Sequence, residues 1–236
     1  MDCKVRAETF ASLYDRVCKR KGSEAMVLEL LAQPASAEEI LEITDDRFLA
    51  EFTKKVFQSG FVWRVVRLKW PNFEEAFFAF DIDKVLLMPD EMLEQKASDP
   101  AIIRNYNKVK TIRENALMID EIRRKHGSFA KFVSNWPKDD LIGLWDFLKK
   151  NGARLGGNTG PYTLRTLGID TFLLSRDVEA YFVEHGLISG SARSKRSLST
   201  IQSTFFEWQK ESGLSLQEIS QLVSFSCGDN YVGMVQ

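Results

Sequence analysis

LGGNTGPYTLRTLGID, residues 155–170, holds three glycines and a proline within its first seven positions, and an apolar-periodic segment follows directly. What precedes that turn decides the fold. A strand would make it a nucleotide-binding loop, but DDLIGLWDFLKKNG (139–152) has helical spacing, and neither GxGxxG nor GxxxxGK[ST] is present. The reading is therefore helix, short glycine turn, helix, a hairpin spanning about 139–168. The N–H groups at the start of the second helix lack intrahelical acceptors and suit an anion such as a DNA phosphate. Gly156, Gly157 and Gly160 would let a phosphodiester approach without Cβ interference, with Asn158 and Thr159 between them, and Pro161 fits a first helical turn. A glycine-capped loop between two packed helices fits the local pattern equally well.

The rest of the chain repeats the 3.6-residue period, and β-branched alternation never persists. The expectation is all-α: two helical lobes with a helix-hairpin-helix motif and a base-binding cleft between them. Residues 5–20 set Phe10, Leu13, Tyr14 and Val17 on one face, and SEAMVLELLAQ ends at Pro34. Ser36 with Glu39, and Ser215 with Glu218, have capping-box spacing. DDRFLAEFTKKVFQSG repeats Phe48, Phe52 and Val56 and stops at Gly60, and FVWRVVRLKW is expected to halt before Pro71. From 101 to 125, Ile102, Tyr106, Val109, Ile112, Ala116 and Ile119 form one stripe, leaving Lys108, Lys110 and Arg113 as a solvated cationic face. SGSARSKRS (189–197) reads as a mobile linker. The chain is taken as one unit, residues 1–44 and 196–226 completing the lobes.

Composition narrows the function. With 236 residues and 44% hydrophobic content the chain can build one large core or two small ones. The start MDCK lacks a basic, apolar leader, and three cations interrupt the most apolar stretch, so a cytoplasmic, nucleoid-associated protein with no membrane partner is expected. Cys3, Cys18 and Cys227 are too scattered for a disulfide framework and, with only His126 and His185 to join them, suggest no metal site and no cofactor. A net charge of −1 argues weakly against DNA, so any nucleic-acid site is a local patch.

Three blocks in order carry a resemblance. DDRFLAEFTKKVFQSGFVWRVVRLKWPNFEEAFFAFD (45–81), AIIRNYNKVKTIRENA (101–116) and LKKNGARLGGNTGPY (148–162) are similar to the signature runs of the DNA-3-methyladenine glycosylase I family, a branch of the helix-hairpin-helix DNA glycosylases. They fall between residues 45 and 170, about half the chain. The resemblance implies that the turn grips duplex DNA and that a damaged base is swung into a pocket. Trp63 matches the family's pocket tryptophan and would stack on the base, whereas without the family match a core tryptophan is an equal reading. Gln58 matches a pocket-side glutamine with both donor and acceptor atoms.

The chain also departs from that pattern. A family glutamate, eight positions before the tryptophan, is here Lys55, which would repel a methylated, cationic base. Either Glu51, one turn earlier on the same face, replaces it, or the preferred base differs. The lysine of bifunctional superfamily enzymes aligns with Tyr162, which forms no imine. The superfamily's catalytic aspartate aligns with Ser175 in TFLLSRDV, and Asp177 lies two residues on, turned by about 200° on a helix. The methyladenine branch itself lacks that aspartate, since a cationic base is a good leaving group. The family's zinc site has no counterpart.

Glu51 and Asp177 are thus the catalytic candidates, and Trp63, Gln58, Lys55 and Tyr162 the base-pocket candidates. The DNA contacts comprise the turn, Lys149 and Lys150, with Arg193, Lys195 and Arg196 in the linker. The expectation is a monomeric, monofunctional glycosylase that hydrolyses the N-glycosidic bond of an alkylated, 3-methyladenine-like purine in double-stranded DNA during base excision repair. The alternative is a non-catalytic binder of damaged or distorted DNA, supported by Lys55 and Ser175. A helical scaffold without DNA affinity is favoured only by the net charge.

Overall fold

The structure is a computed structural model that describes residues 7–228, so Cys3 lies outside the described residues. Within them every regular element is a helix, fourteen of them α-helical. In chain order they are α1 (Phe10–Lys21), α2 (Glu24–Leu30), α3 (Ala37–Leu41), α4 (Asp45–Gln58), α5 (Trp63–Ala76), α6 (Ile82–Leu86) and α7 (Asp90–Ser98). There follow α8 (Tyr106–His126), α9 (Phe129–Ser134), α10 (Leu141–Asn151), α11 (Thr159–Thr166), α12 (Arg176–Glu184), α13 (Lys195–Ser212) and α14 (Leu216–Ser226). The chain divides into two compact units, Ala35–Ile169 and Met1–Pro34 with Asp170–Gln236. No described helix is long and apolar enough to cross a membrane.

Aromatic burial organises the Ala35–Ile169 unit. The four-residue repeat of Phe48, Phe52 and Val56 puts all three on the sealed face of α4, where Phe129 of α9 packs 4.8 Å from the Phe48 ring and 5.6 Å from that of Phe52. Each such buried ring contributes about 1.5–3 kcal/mol. The longest helix, α8, buries Val109, Ile112, Ala116 and Ile119. Both expected capping boxes form, at Ser36–Glu39 and Ser215–Glu218.

Three expectations fail for identifiable reasons. α5 does not halt before Pro71 but runs through it to Ala76. The proline removes one ladder hydrogen bond, yet Phe73 and Ala76 continue the buried face beyond it, and Trp70 stacks on both Phe73 and Phe80 at 5.4 Å. The packing outweighs the lost bond. Ile102 is buried but precedes α8, whose cap is the Asn105 side chain accepting from Lys108 N. Lys108 and Arg113 are not a solvated face. Lys108 Nζ donates to the Phe57 and Ser59 carbonyls at 3.2 and 2.8 Å, closing the C-terminus of α4, and Arg113 Nη1 donates to Met88 O at 2.8 Å.

Between α5 and α6 the short 3-10 turn Phe78–Phe80 takes positive φ at three non-glycine residues (56°, 53° and 63°). Such backbone costs L-residues energy. Its surroundings hold it: Phe77 and Phe80 are sealed and stacked, and Arg47 Nη2 donates to Ala79 O at 2.6 Å.

In the second unit, Phe205 of α13 stacks on Phe172 at 4.4 Å, and Trp208 packs against Tyr181. Glu8 ties these helices to the amino-terminal arm. Its carboxylate accepts from both terminal nitrogens of Arg16 and from the Tyr181 hydroxyl at 2.7 Å, while its carbonyl accepts from Trp208 Nε1 at 2.9 Å. Burial works to raise the Glu8 carboxyl, but the Arg16 and Tyr181 bonds outweigh it and hold the group below its ordinary range. The Asp170 carboxylate adds a second cap to α14 by accepting from Leu216 N and Gln217 N at 3.1 and 2.8 Å. SGSARSKRS is not a free linker throughout. Ser194 caps α13, which already includes Lys195 to Ser197, and Arg193 pairs with Glu179 at 3.0 Å.

Candidate nucleic-acid interface

The glycine turn is a helix-hairpin-helix connection built by α10, residues 152–158 and α11. α10 buries Leu141, Leu144, Trp145 and Leu148, leaving Lys149 and Lys150 exposed on its last turn, where cations also suit the helix dipole. Gly157 is exposed at φ +65°, a conformation that favours glycine. Gly160 plays a different part from the one expected. It is buried, and a Cβ there would stand 2.7 Å from the Leu155 carbonyl and 3.1 Å from Leu148, so its missing side chain closes the hairpin rather than admitting a phosphate.

The amides divide similarly. Thr159 N–H donates to Gly156 O at 3.3 Å and Gly160 N–H to Leu155 O at 3.0 Å, so both are used inside the turn. The N–H groups of Gly156 and Gly157 make no hydrogen bond within the described residues. The N–H groups without an internal acceptor thus lie two to three residues nearer α10 than those of Thr159 and Gly160.

Two residues of the turn's framework escaped sequence reading. Asn115 of α8 is fully buried and grips the Ala153 peptide from both sides, accepting its N–H at 2.7 Å and donating to its carbonyl at 3.2 Å. Arg154 is an exposed cation in the left-handed region, φ +59°. Burial, with the Arg154 guanidinium nearby, pushes the Lys108 ammonium below its ordinary value. Signals for both stood in the sequence: an asparagine inside an otherwise apolar helical stripe, and an arginine between the turn's glycines.

The aromatic candidates meet in the same unit. Trp63 is the first residue of α5 and stays 49% exposed, with its indole met edge-on by the Tyr162 ring at 6.4 Å and 84°. It is not a sealed core tryptophan. α4 presents Glu51, Lys55 and Gln58 at helical i, i+4, i+7 spacing. Lys55 Nζ stands 5.7 Å from the Trp63 ring centroid and 3.1 Å from Glu51 Oε1. That carboxylate oxygen is nonetheless buried without a hydrogen bond, so the ammonium attracts it from off the hydrogen-bonding direction. Lys54 Nζ lies 3.8 Å from Glu51 Oε2 and 4.6 Å over the Trp70 ring. A further unit charge about 6 Å from Lys55 Nζ would interact with it by about 3 kcal/mol at an effective dielectric of about 20. Gln58 is buried, and its side-chain carbonyl also lacks a donor.

The remaining candidates belong to the other unit. Asp177 occupies the first turn of α12, and its carbonyl accepts from the Cys227 thiol at 3.4 Å. Ser175, where the superfamily aspartate would align, is the N-cap of α12 and accepts from Val178 N at 3.2 Å. Arg193 is paired as described, whereas Lys195 and Arg196 are exposed on the first turn of α13. Among the described residues no group of three or more His, Cys, Asp or Glu side chains is placed to hold a metal ion.

The profile of the methyladenine glycosylase family matches residues 41–146. The matched segment is somewhat under half of the chain. It contains α4, Trp63, α8 with Asn115 and the first part of α10, but neither Tyr162 nor the glycine turn. The chain is similar to the 8-oxoguanine DNA glycosylase of Methanocaldococcus jannaschii, at 18% identity over 90% of this chain and 92% of that one, with a TM-score of 0.54. It is similar also to the 8-oxoguanine DNA glycosylase of Thermotoga maritima, at 17% identity over 94% and 99% of the two chains, TM-score 0.51. A variant of 3-methyladenine DNA glycosylase I from Staphylococcus aureus is 23% identical over 63% of this chain and 89% of that one, TM-score 0.49. No curated protein matches. The first two likenesses are ones of fold.

Proposed function

We propose that this protein is a monofunctional DNA glycosylase of base excision repair, which swings an alkylated purine out of duplex DNA and hydrolyses its N-glycosidic bond. One observation carries the reading. A half-exposed indole, edged by Tyr162, stands in the same compact unit as a glycine turn with two unused N–H groups and three exposed cations, Lys149, Lys150 and Arg154. The turn would hold a phosphate while the indole receives the base, an interaction worth about 1–3 kcal/mol.

Tyr162 stands where bifunctional relatives would carry a Schiff-base lysine, so water is the nucleophile in this reading. Glu51 is the carboxylate nearest the indole's neighbouring ammonium and is the group that would offset positive charge developing on the sugar. Asp177, two residues past the position at which the superfamily aspartate would fall, is the second carboxylate candidate.

Duplexes bearing single alkylated purines test the proposal. Free base should appear under single-turnover conditions with no strand cleavage beyond that of the abasic product. Affinity should fall by orders of magnitude between 50 and 200 mM salt, as several phosphate contacts require. Tight, salt-sensitive binding with no released base would replace the enzyme with a non-catalytic damage binder.

A further inference from the structure

We infer that the site selects uncharged alkylated purines over cationic ones, and that Lys55 is the residue that selects. The inference rests on the glycosylase reading and narrows its substrate. Three observations converge. First, the Glu51 carboxylate has two ammoniums beside it, Lys55 at 3.1 Å and Lys54 at 3.8 Å, so the pair of lysines leaves one positive charge in excess where a cationic base would need a negative partner. Second, Lys55 Nζ already lies 5.7 Å from the centroid of the Trp63 ring, so a methylated cation stacked on that indole would sit beside a like charge. Third, Lys55 is almost wholly enclosed, its side chain 11% exposed, yet its ammonium makes no hydrogen bond within the described residues. Beyond its ion pair with Glu51, the ammonium therefore has N–H donors that no protein acceptor takes up.

A base that satisfies such a site carries no formal charge and offers acceptors in place of donors. Exocyclic etheno adducts of adenine are of this class: alkylation consumes the amino group and leaves ring nitrogens as acceptors. The chemistry balances. The C1′–N9 bond breaks with its electron pair remaining on the purine, water adds to C1′, and the proton that water loses ends on the departing base. An uncharged purine would otherwise leave as an anion, so a Lys55 N–H directed at a ring nitrogen stabilises the charge that develops there.

The test compares duplexes carrying 1,N6-ethenoadenine or 7-methylguanine at one position, with each single-turnover rate divided by the spontaneous rate in the same DNA. Wild type should accelerate loss of the etheno base at least tenfold more than loss of the cationic one. Lys55→Arg should keep that order, Lys55→Met should level it, and Lys55→Glu should reverse it, moving the ratio by about a hundredfold. Equilibrium binding of both duplexes is measured alongside. If neither base leaves, the glycosylase reading falls but the selection is still decided by binding: tighter etheno binding that Lys55→Glu abolishes supports it. Equal or greater acceleration with the cation, a ratio unmoved by Lys55→Glu in a variant that melts normally, or equal affinities when neither base is released would overturn it.

Discussion

Replacing Trp63 with alanine should slow release of the alkylated base by roughly 5- to 150-fold, the rate equivalent of losing about 1–3 kcal/mol of stacking on a flipped nucleobase. The effect should not come through the fold. Trp63 is 49% exposed, and its ring meets the Tyr162 edge and the Lys55 ammonium. Substitutions at such positions typically change stability within about 0.5 kcal/mol, or roughly 1–2 °C for a chain of this length. Single-turnover kinetics with a thermal melt separates the two causes. Trp63→Phe should restore much of the rate, because a smaller ring still offers a π face. A Trp63→Ala variant that melts like wild type and releases base at the wild-type rate would remove the indole from the mechanism.

The second large effect is structural and lies far from the base. Asn115→Ala should destabilise the protein by about 3 kcal/mol, since it deletes two hydrogen bonds at a fully buried side chain and leaves the Ala153 peptide without its partners. For a chain of this size that corresponds to a fall in Tm of roughly 6–12 °C. The consequence should reach DNA binding. Ala153 and Arg154 begin the glycine turn, and without the Asn115 clamp the Gly156 and Gly157 amides are no longer held in one geometry. Affinity for duplex should fall and its salt dependence should flatten, both measurable by titration at two ionic strengths. A melting temperature within 1 °C of wild type would show that the clamp is dispensable.

The sequence made some of this legible because local chemistry was decisive. A helical period before the glycines, the absence of a strand and a proline in the first turn of the next helix leave a hairpin as the economical reading, and Ser36 and Ser215 cap helices as their spacing requires. Where tertiary packing overrides local preference, the sequence misled. Pro71 ends a helix by its own chemistry but not when Phe73 and Ala76 extend the buried face past it. Lys108 looks like a surface charge until the α4 carbonyls it caps are known. The left-handed turn at Phe78–Phe80 has no glycine to announce it and is held by aromatic stacking that only the fold assembles.

The candidate site was legible to a different degree. Trp63 and Lys55 stand at positions of the family signatures, and Glu51 follows from its place one helical turn before Lys55 on α4. The approach of Lys55 to the indole depends on how α5 departs from α4, whereas the competition of two lysines for one carboxylate is set within α4 itself. Gly160 shows the converse: its identity was read correctly as necessary, but for approach by a ligand, when its need comes from the Leu155 carbonyl.

The central claim is that a clasped duplex surrenders a base to Trp63, and fluorescence of 2-aminopurine placed beside the lesion measures that event most directly. Saturating wild-type protein should raise the emission several-fold as the neighbour unstacks, and Trp63→Ala at equal saturation should return it toward the free-duplex level. Saturated, salt-sensitive binding that leaves the emission unchanged would contradict the account.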